Sequence, residues 1–424
     1  MRMTLSIVHF STADGEGGSA RSAHRIHCAL RRRGHRSRML VKYRVLEDED
    51  VDTVAGDGRL LPIADRIAEG VAWRLGLQYQ FMPSSRRLLR HPWLDKPDII
   101  QLYNTHGGYF SHRLLPRLGR RAPIVWRLSD MWPMTGHCAY AGSCERWQVG
   151  CGQCPDLASY PPIGLDTTAF LWRQKRRLYR KVPITVVAPS SWIEGAVGKS
   201  PLFAGAQVRR IPNGLDLGIF RPLDRDAARE FLGVPRNLKA VLFAPHVAAD
   251  NPRKGSDLME KALASLGPRD DFVLLVAGVG AQQWVGRVPQ RVIPLGYLRD
   301  DRLIAMANAA ADCVAIPSSV ENLPNGVIEA FACARPVVAL DAGGLKDAVR
   351  SGETGILVPP GDVDSFGRAI DHLLGDDALR LRCGQQALAW AERECSAELE
   401  ATRFETLYAE LVGRSRDDRG HAAH

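Results

Sequence analysis

The stretch Ala315–Gly344, AIPSSVENLPNGVIEAFACARPVVALDAGG, decides how the rest of the chain is read. It begins inside a short apolar run, Cys313–Pro317, that reads as a buried strand. A Pro-Ser-Ser loop leads to Glu321, and Pro324-Asn325-Gly326 makes a turn. A helix starts near Val327 and must end ahead of Pro336, because the residue before a proline is driven out of the helical region. A second strand, Val337–Leu340, and a Gly343-Gly344 turn close the segment. Strand, loop, helix and strand in this order form one unit of a parallel α/β sheet. The N–H groups of Asn325, Gly326 and Val327 fall at a helix N-terminus, which suits a phosphate. Glu321 and Glu329 flank that point, and carboxylates accept hydrogen bonds from sugar and ribose hydroxyls. Taken alone, two acids at this spacing fit a capped surface helix better than a binding site, and only the ordered context around them reverses that.

Outward from this segment the chain alternates apolar runs with helical patterns, the signature of parallel sheets. Strand candidates in the first half are Leu5–Phe10, Arg38–Val41, Ile99–Tyr103, Ile124–Leu128 and Thr185–Ala188; a helix candidate, Ser19–Arg33, is stopped by Gly34. The second half restarts with Ala240–Ala244, Phe272–Ala277 and Val292–Leu295. Two Rossmann-like domains are therefore expected, 1–216 and 217–376, because Leu217–Asn237 has no strand pattern and follows a Pro-Asn-Gly turn. A helical region, 377–412, is expected to pack across both, and 413–424 to form a disordered tail. Ligands of such folds bind at the C-terminal ends of the strands, so a cleft between the domains is expected.

The ordered context around the two glutamates resembles the retaining glycosyltransferases of family 4, whose signature is a pair of glutamates separated by seven residues, as in Glu321 and Glu329. That resemblance covers nearly the whole chain and implies a GT-B fold, with Glu321 on the donor sugar and Glu329 on the ribose. Ala334 stands where the family usually has glycine, a change expected to touch packing only. Val208–Pro222 (VRRIPNGLDLGIFRP) resembles the end of the first domain. In Asp250–Gly255 (DNPRKG) the resemblance of the Lys-Gly pair implies that Lys254 reaches the diphosphate, with a solvated loop lysine as the alternative. The family's arginine five residues earlier is replaced by Ala249, leaving Arg253 as its substitute. Leu295-Gly296-Tyr297 resembles the segment around the nucleobase.

In the first half, Ser11–Gly18 (STADGEGG) resembles the glycine-rich loop that faces the donor phosphates, with Gly17 and Gly18 allowing close backbone approach. The G-x-G-x-x-G spacing of dinucleotide-cofactor sites is absent. LSDMWPMTGHCAYAGSCERWQVGCGQCP, ending at Pro155, resembles a subgroup that builds exopolysaccharide, including polymers of the colanic-acid type. That subgroup has a histidine where this chain has Ser129. His106, Asp130 and His137 remain candidates on the acceptor side, and each alone also fits a structural role. Cys138, Cys144, Cys151 and Cys154 can close a tetrahedral zinc shell. Four buried free thiols or a pair of disulfides are the alternatives, and a closed four-sulfur shell would be structural rather than catalytic.

Composition narrows the class further. With 45% hydrophobic and 24% charged residues the chain reads as a soluble globular protein. It has neither an eighteen-residue apolar run nor a signal-peptide core, so a cytoplasmic protein is expected, and the basic first half adds the option of a peripheral place at the inner face of the cytoplasmic membrane. Residues 1–216 hold 32 Lys/Arg against 18 Asp/Glu, a net +14, and the remainder holds 24 against 29, a net −5. Arg31–Arg33, Arg86, Arg87, Arg90 and Arg173–Lys181 supply much of that excess. It reads either as a solvated surface or as attraction to anionic lipid or a phosphate-bearing acceptor. Nucleic acid is not expected, since no interleaved aromatics or binding module accompany the charge.

The resulting expectation is a retaining glycosyltransferase of the hexosyltransferase type. It would use a UDP- or GDP-sugar and a saccharide or polyprenyl-diphosphate-linked acceptor, without a catalytic divalent ion, since no Asp-x-Asp motif falls at the donor site. A sugar-nucleotide 2-epimerase and a non-catalytic sugar-nucleotide-binding protein are the alternatives.

Overall fold

The computed structural model describes residues 3–56, 58, 60–245 and 252–421, with the side chains of the last helix described as far as residue 415. Ala249, Asp250 and Asn251, which carry the reading of a missing arginine, lie outside the described residues. The chain separates into two compact units. One contains the residues up to Ile211 together with those from Glu400 onward, and the other is Pro212–Leu399.

The first unit is built on seven strands: β1 (Ser6–Ala13), β2 (Arg36–Tyr43), β3 (Val51–Thr53), β4 (Ile99–Leu102), β5 (Ile124–Arg127), β6 (Ile184–Ala188) and β7 (Gln207–Arg210). Their order is β3-β2-β1-β4-β5-β6-β7, and every pairing is parallel. The second unit has six: β8 (Lys239–Phe243), β9 (Phe272–Ala277), β10 (Arg291–Gly296), β11 (Cys313–Ile316), β12 (Val337–Leu340) and β13 (Gly355–Val358). Their order, β10-β9-β8-β11-β12-β13, repeats the same winding, again wholly parallel. Each sheet runs outward from its first strand in one direction and then in the other. The point of reversal, between β1 and β4 or between β8 and β11, is where doubly wound folds bind ligands.

Alternation along the central strands explains the layering. In β8, Ala240 and Leu242 join one apolar cluster and Val241 and Phe243 the other. A strand buried on both faces needs a continuous apolar run, which is why β8 and β9 are legible in the sequence.

Three boundaries depart from expectation. The first unit ends at Ile211 rather than 216, because Asn213 and Leu215 are bonded into the second unit: Asn213 donates to the Leu323 carbonyl at 2.9 Å, and Leu215 exchanges main-chain hydrogen bonds with Cys395 and Ala397. The long C-terminal region is two helices, Asp377–Glu394 and Ala397–His421, parted where Ser396 bridges to Leu215. They divide between the units, the second joining the first unit from Glu400. The stretch from 413 is not a disordered tail as far as the structure describes it; the helix runs on to His421. It is anchored by buried Phe404 and Tyr408 and by Glu405, which pairs with Arg33 at 2.5 Å and with His35 at 2.9 Å. Among the described residues no helix is long and apolar enough to cross a membrane.

Candidate functional site

At the reversal point of the second sheet, the segments following β8 and β11 meet. Gly255 makes that possible: at φ +74° its backbone is left-handed, and a Cβ there would lie 1.9 Å from the Pro317 carbonyl oxygen. The Lys-Gly pair is therefore a packing requirement that presses one loop onto the other. Lys254 Nζ then lies 2.7 Å from Glu321 Oε1, and Arg253 Nη1 lies 3.0 Å from the same oxygen. Arg253 also donates to the Val320 carbonyl at 2.8 Å, and the Ser319 N–H donates to the Arg253 carbonyl at 2.9 Å. The double glycine closes the loop from behind. The Gly344 N–H donates to the Glu321 carbonyl at 2.8 Å, and a Cβ on Gly343 would meet that oxygen at 2.1 Å.

Glu321 is buried. Burial opposes its ionisation, but Lys254 and Arg253 outweigh it, with a hydrogen bond from Ser318, and hold the carboxyl below its usual range. The structure thus brings together three of the residues singled out in the sequence: Glu321, Lys254 and Arg253. The helix that follows is Asn325–Ala332, beginning two residues earlier than expected, with Glu329 buried one turn in. The Val327 N–H donates to the Pro324 carbonyl at 3.1 Å, so it is not a donor for a phosphate as the sequence suggested. Asn325 and Gly326 keep their places at the helix N-terminus. Asn213, read in the sequence only as part of a turn, braces this segment through its side chain, which donates to the Leu323 carbonyl and to Asn325 Oδ1 at 3.1 Å.

Ala334, expected to affect packing alone, instead takes φ +57°, a left-handed conformation that glycine adopts without strain. Gly296 ends β10 at φ +68°, and Tyr297 follows it with the Arg299 guanidinium 5.9 Å from its ring.

In the first unit the loops at the reversal point carry the other candidates. Gly17, at φ +85°, is the N-cap of the helix Gly18–Arg32, so Gly18 is helical rather than part of the loop. After β4 and β5, His106 Nε2 and Asp130 Oδ2 lie 2.8 Å apart, both buried. Asp130 Oδ1 accepts from the Trp132 N–H at 2.9 Å, and the His106 ring stands edge-on to Trp132 and Tyr160. Two residues that each fit a structural role alone form a single oriented pair. Ser129, in the place of the subgroup's histidine, shares a 2.7 Å hydrogen bond with Ser19 at the start of the first helix.

Lys175, counted in the sequence as part of a basic face, is instead buried beneath this loop. It sits 3.7 Å from the centre of the Trp132 ring and donates to the carbonyls of Trp132 and Thr135 at 2.5 and 3.0 Å. Burial pulls it down to about 7, with Cys151, Cys138 and Asp130 opposing that shift. Leu171, Trp172 and Tyr179, buried on the same helix, were the available signal.

Cys138, Cys144, Cys151 and Cys154 line one cavity of ≈ 20 Å³ with His137, and no two of them are joined in a disulfide. The Gly136 N–H donates to Cys151 Sγ at 3.2 Å, and His137 Nε2 lies 3.3 Å from Cys154 Sγ. His137, also held at 3.1 Å to the Pro161 carbonyl, belongs with this loop rather than with His106 and Asp130. Burial pushes the Cys138 and Cys151 thiols up to about 12 and about 11. Among the described residues, the group whose ligand atoms all lie within 4.8 Å of one another is a different one: His24, Cys28 and Asp48. Its i, i+4 helical spacing was legible, but Arg31 already neutralises Asp48 at 2.8 Å.

Residues 16–218 match the family model described as Glycosyltransferase Family 4, and residues 239–376 match that described as Glycosyl transferases group 1. Together with the two Rossmann-like sheets, these matches support a glycosyltransferase of the GT-B fold. Among curated proteins, the chain is 29% identical over 231 residues to the putative colanic acid biosynthesis glycosyl transferase WcaC of Escherichia coli K12, covering 54% of each. It is 36% identical over 185 residues to the D-inositol 3-phosphate glycosyltransferase of Mycobacterium tuberculosis strain F11, covering 40% of this chain and 36% of that one. The chain therefore spans about half the length of the first of these relatives, and less of the second. Sucrose-phosphate synthase from Thermosynechococcus elongatus aligns with a TM-score of 0.68 at 20% identity, covering 96% of this chain and 99% of that one. Anabaena HepE in complex with UDP and glucose aligns at 0.64 and 20%, covering 96% and 100%. At these identities the likeness is one of fold.

Proposed function

We propose that this chain is a retaining glycosyltransferase. It moves a sugar from a nucleoside diphosphate sugar to a hydroxyl of a saccharide acceptor, lipid-linked in the native reaction, in exopolysaccharide or cell-surface glycan synthesis. The observation that carries this reading is the convergence of Lys254 and Arg253 on Glu321, beside the Asn325 helix N-terminus, at the reversal point of the second sheet. The printed description of the WcaC relative and the UDP and glucose held by HepE support the same reading.

In this account a diphosphate takes up Lys254 and Arg253 together with the Asn325 and Gly326 amides. Glu321 is then turned to the donor sugar and Glu329 to the ribose, with Tyr297 near the base. The bond from the anomeric carbon to the diphosphate oxygen breaks, and the acceptor oxygen forms its bond on the same face. The acceptor proton passes to the departing phosphate, whose growing charge Lys254 offsets. In the first unit, the His106–Asp130 pair orients the acceptor. The expected assay result is label transfer from one UDP- or GDP-sugar into a lipid-extractable product, with the anomeric configuration of the donor kept when the new linkage is read by NMR. Nucleotide release with epimerised free sugar and no acceptor product would replace this reading with the epimerase.

The four cysteines fit a structural zinc by donor type and by lining one cavity. A zinc–thiolate shell needs sulfurs about 3.8 Å apart, so the loop would draw inward around the metal. Purified protein is expected to contain one zinc per chain by elemental analysis, and Cys151→Ser/Cys154→Ser to contain none. Metal-free wild-type protein of unchanged stability would identify the four as free thiols.

A further inference from the structure

The helix Leu60–Arg74 of the first unit turns its apolar side outward. Leu60 is 83% exposed, Ile63 54%, Ile67 65% and Val71 51%. Steps of three and four residues put all four on one stripe of the helix. In its last turn Trp73, and after it Leu75, each 49% exposed, and then Phe81 at 54% are further exposed apolar side chains. The opposite side is the one that packs: Asp65 and Ala72 are buried, and Asp65 accepts the Ser84 N–H at 3.0 Å. An apolar row of this length on a surface helix marks an interaction site.

The exposed charges of this helix and of the segment after it are of one sign. Arg66 and Arg74 are exposed on the same helix, and Arg86, Arg87 and Arg90 are exposed on the segment just after it. Of the two acids on the helix, Asp65 is turned inward and Glu69 is paired with Lys42 at 3.4 Å. A helix that carries an exposed apolar stripe together with exposed Arg66 and Arg74 matches a surface that is apolar beneath and anionic above. Two copies of this chain packed stripe to stripe would bring the arginines of both together, which disfavours a homodimer on this face.

We infer that the helix Leu60–Arg74 lies in the plane of an anionic lipid bilayer, with Leu60, Ile63, Ile67 and Val71 in the acyl boundary and the arginines on headgroup phosphates. This deepens the proposed membrane partner of the transferase and rests on that reading for its purpose. It names the inserting element and would bring the acceptor loops to where a lipid-linked saccharide is presented.

The test is co-sedimentation of the full chain with vesicles of phosphatidylglycerol and phosphatidylcholine, or of phosphatidylcholine alone. No nucleotide is needed, so its outcome is separate from that of the transfer assay. Wild-type protein is expected to pellet with the anionic vesicles and much less with the neutral ones. Ile67→Glu/Val71→Glu should cut anionic binding at least tenfold, and Arg66→Glu/Arg74→Glu should remove the preference for anionic lipid; both should keep the wild-type unfolding midpoint, since these side chains are exposed. No pelleting of wild-type protein, or pelleting unchanged by Ile67→Glu/Val71→Glu, would overturn the inference. A lipid-free dimer by light scattering that Ile67→Glu/Val71→Glu makes monomeric would give the face to a second copy of the chain and overturn it as well.

Discussion

Lys254→Ala is expected to lower kcat for sugar transfer by about 10²- to 10³-fold, the effect of removing one donor from the charge that develops on a leaving group. The fold has little stake in this side chain. It is partly exposed, and Glu321 keeps Arg253 at 3.0 Å when Lys254 is removed. The loss should therefore appear in turnover with an unfolding midpoint close to that of the wild type. Lys254→Arg should recover part of the rate, because a cation remains. Steady-state kinetics with the donor found active would check this. A loss of less than about tenfold would place Lys254 among solvated loop lysines and return the leaving-group role to Arg253.

Asp312→Ala is expected to destabilise the second unit by about 3–5 kcal/mol, the cost of stranding a buried charge. Asp312 is buried where β11 begins, with Arg229 at 2.8 Å, Arg225 at 2.9 Å and Arg380 at 3.7 Å around its carboxylate. It also accepts the Ala240 N–H at 2.7 Å, fixing the start of the central strand β8. The Arg229 side chain has no exposed surface, and its guanidinium also donates to the carbonyls of Ala310 and Leu238. Without the carboxylate, three arginines face one another around a vacated site. Denaturant unfolding should show the loss, together with a fall in melting temperature on the order of 10 °C. A change below about 1 kcal/mol would mean that water or the carbonyls compensate fully.

These two residues mark how far the sequence can be read. Glu321 was legible because short-range order carries it: a strand, a Pro-Asn-Gly turn, a helix and a double glycine follow one another locally, whereas Lys254 was read only from the resemblance of its Lys-Gly pair. Asp312 was not, since one acid ahead of an apolar run gives no hint that three arginines distant in sequence converge on it. The central strands were legible through their apolar runs. The strands that were missed, Val51–Thr53, Gln207–Arg210 and Gly355–Val358, stand at sheet edges, where a strand is short, or polar on its outer side. His106 and Asp130 were legible as individuals only; their pairing needs β4 and β5 to be neighbours, which is a property of the sheet order. Lys175 was misread because a lysine among arginines looks solvated, and the apolar face of its helix was the overriding signal. Ala334 was misjudged because a backbone angle leaves no trace in composition.

Binding of a nucleoside diphosphate sugar by the second unit, through the residues around Glu321 and Glu329, underlies every step proposed above. Its most direct test is the thermal shift of the full chain with UDP, GDP, ADP and CMP, repeated on Glu329→Ala. One nucleotide should raise the melting temperature clearly more than the others, and less in the variant, because a ligand that binds only the folded state raises its melting temperature. No shift with any of the four, or an equal shift in wild type and variant, would contradict it.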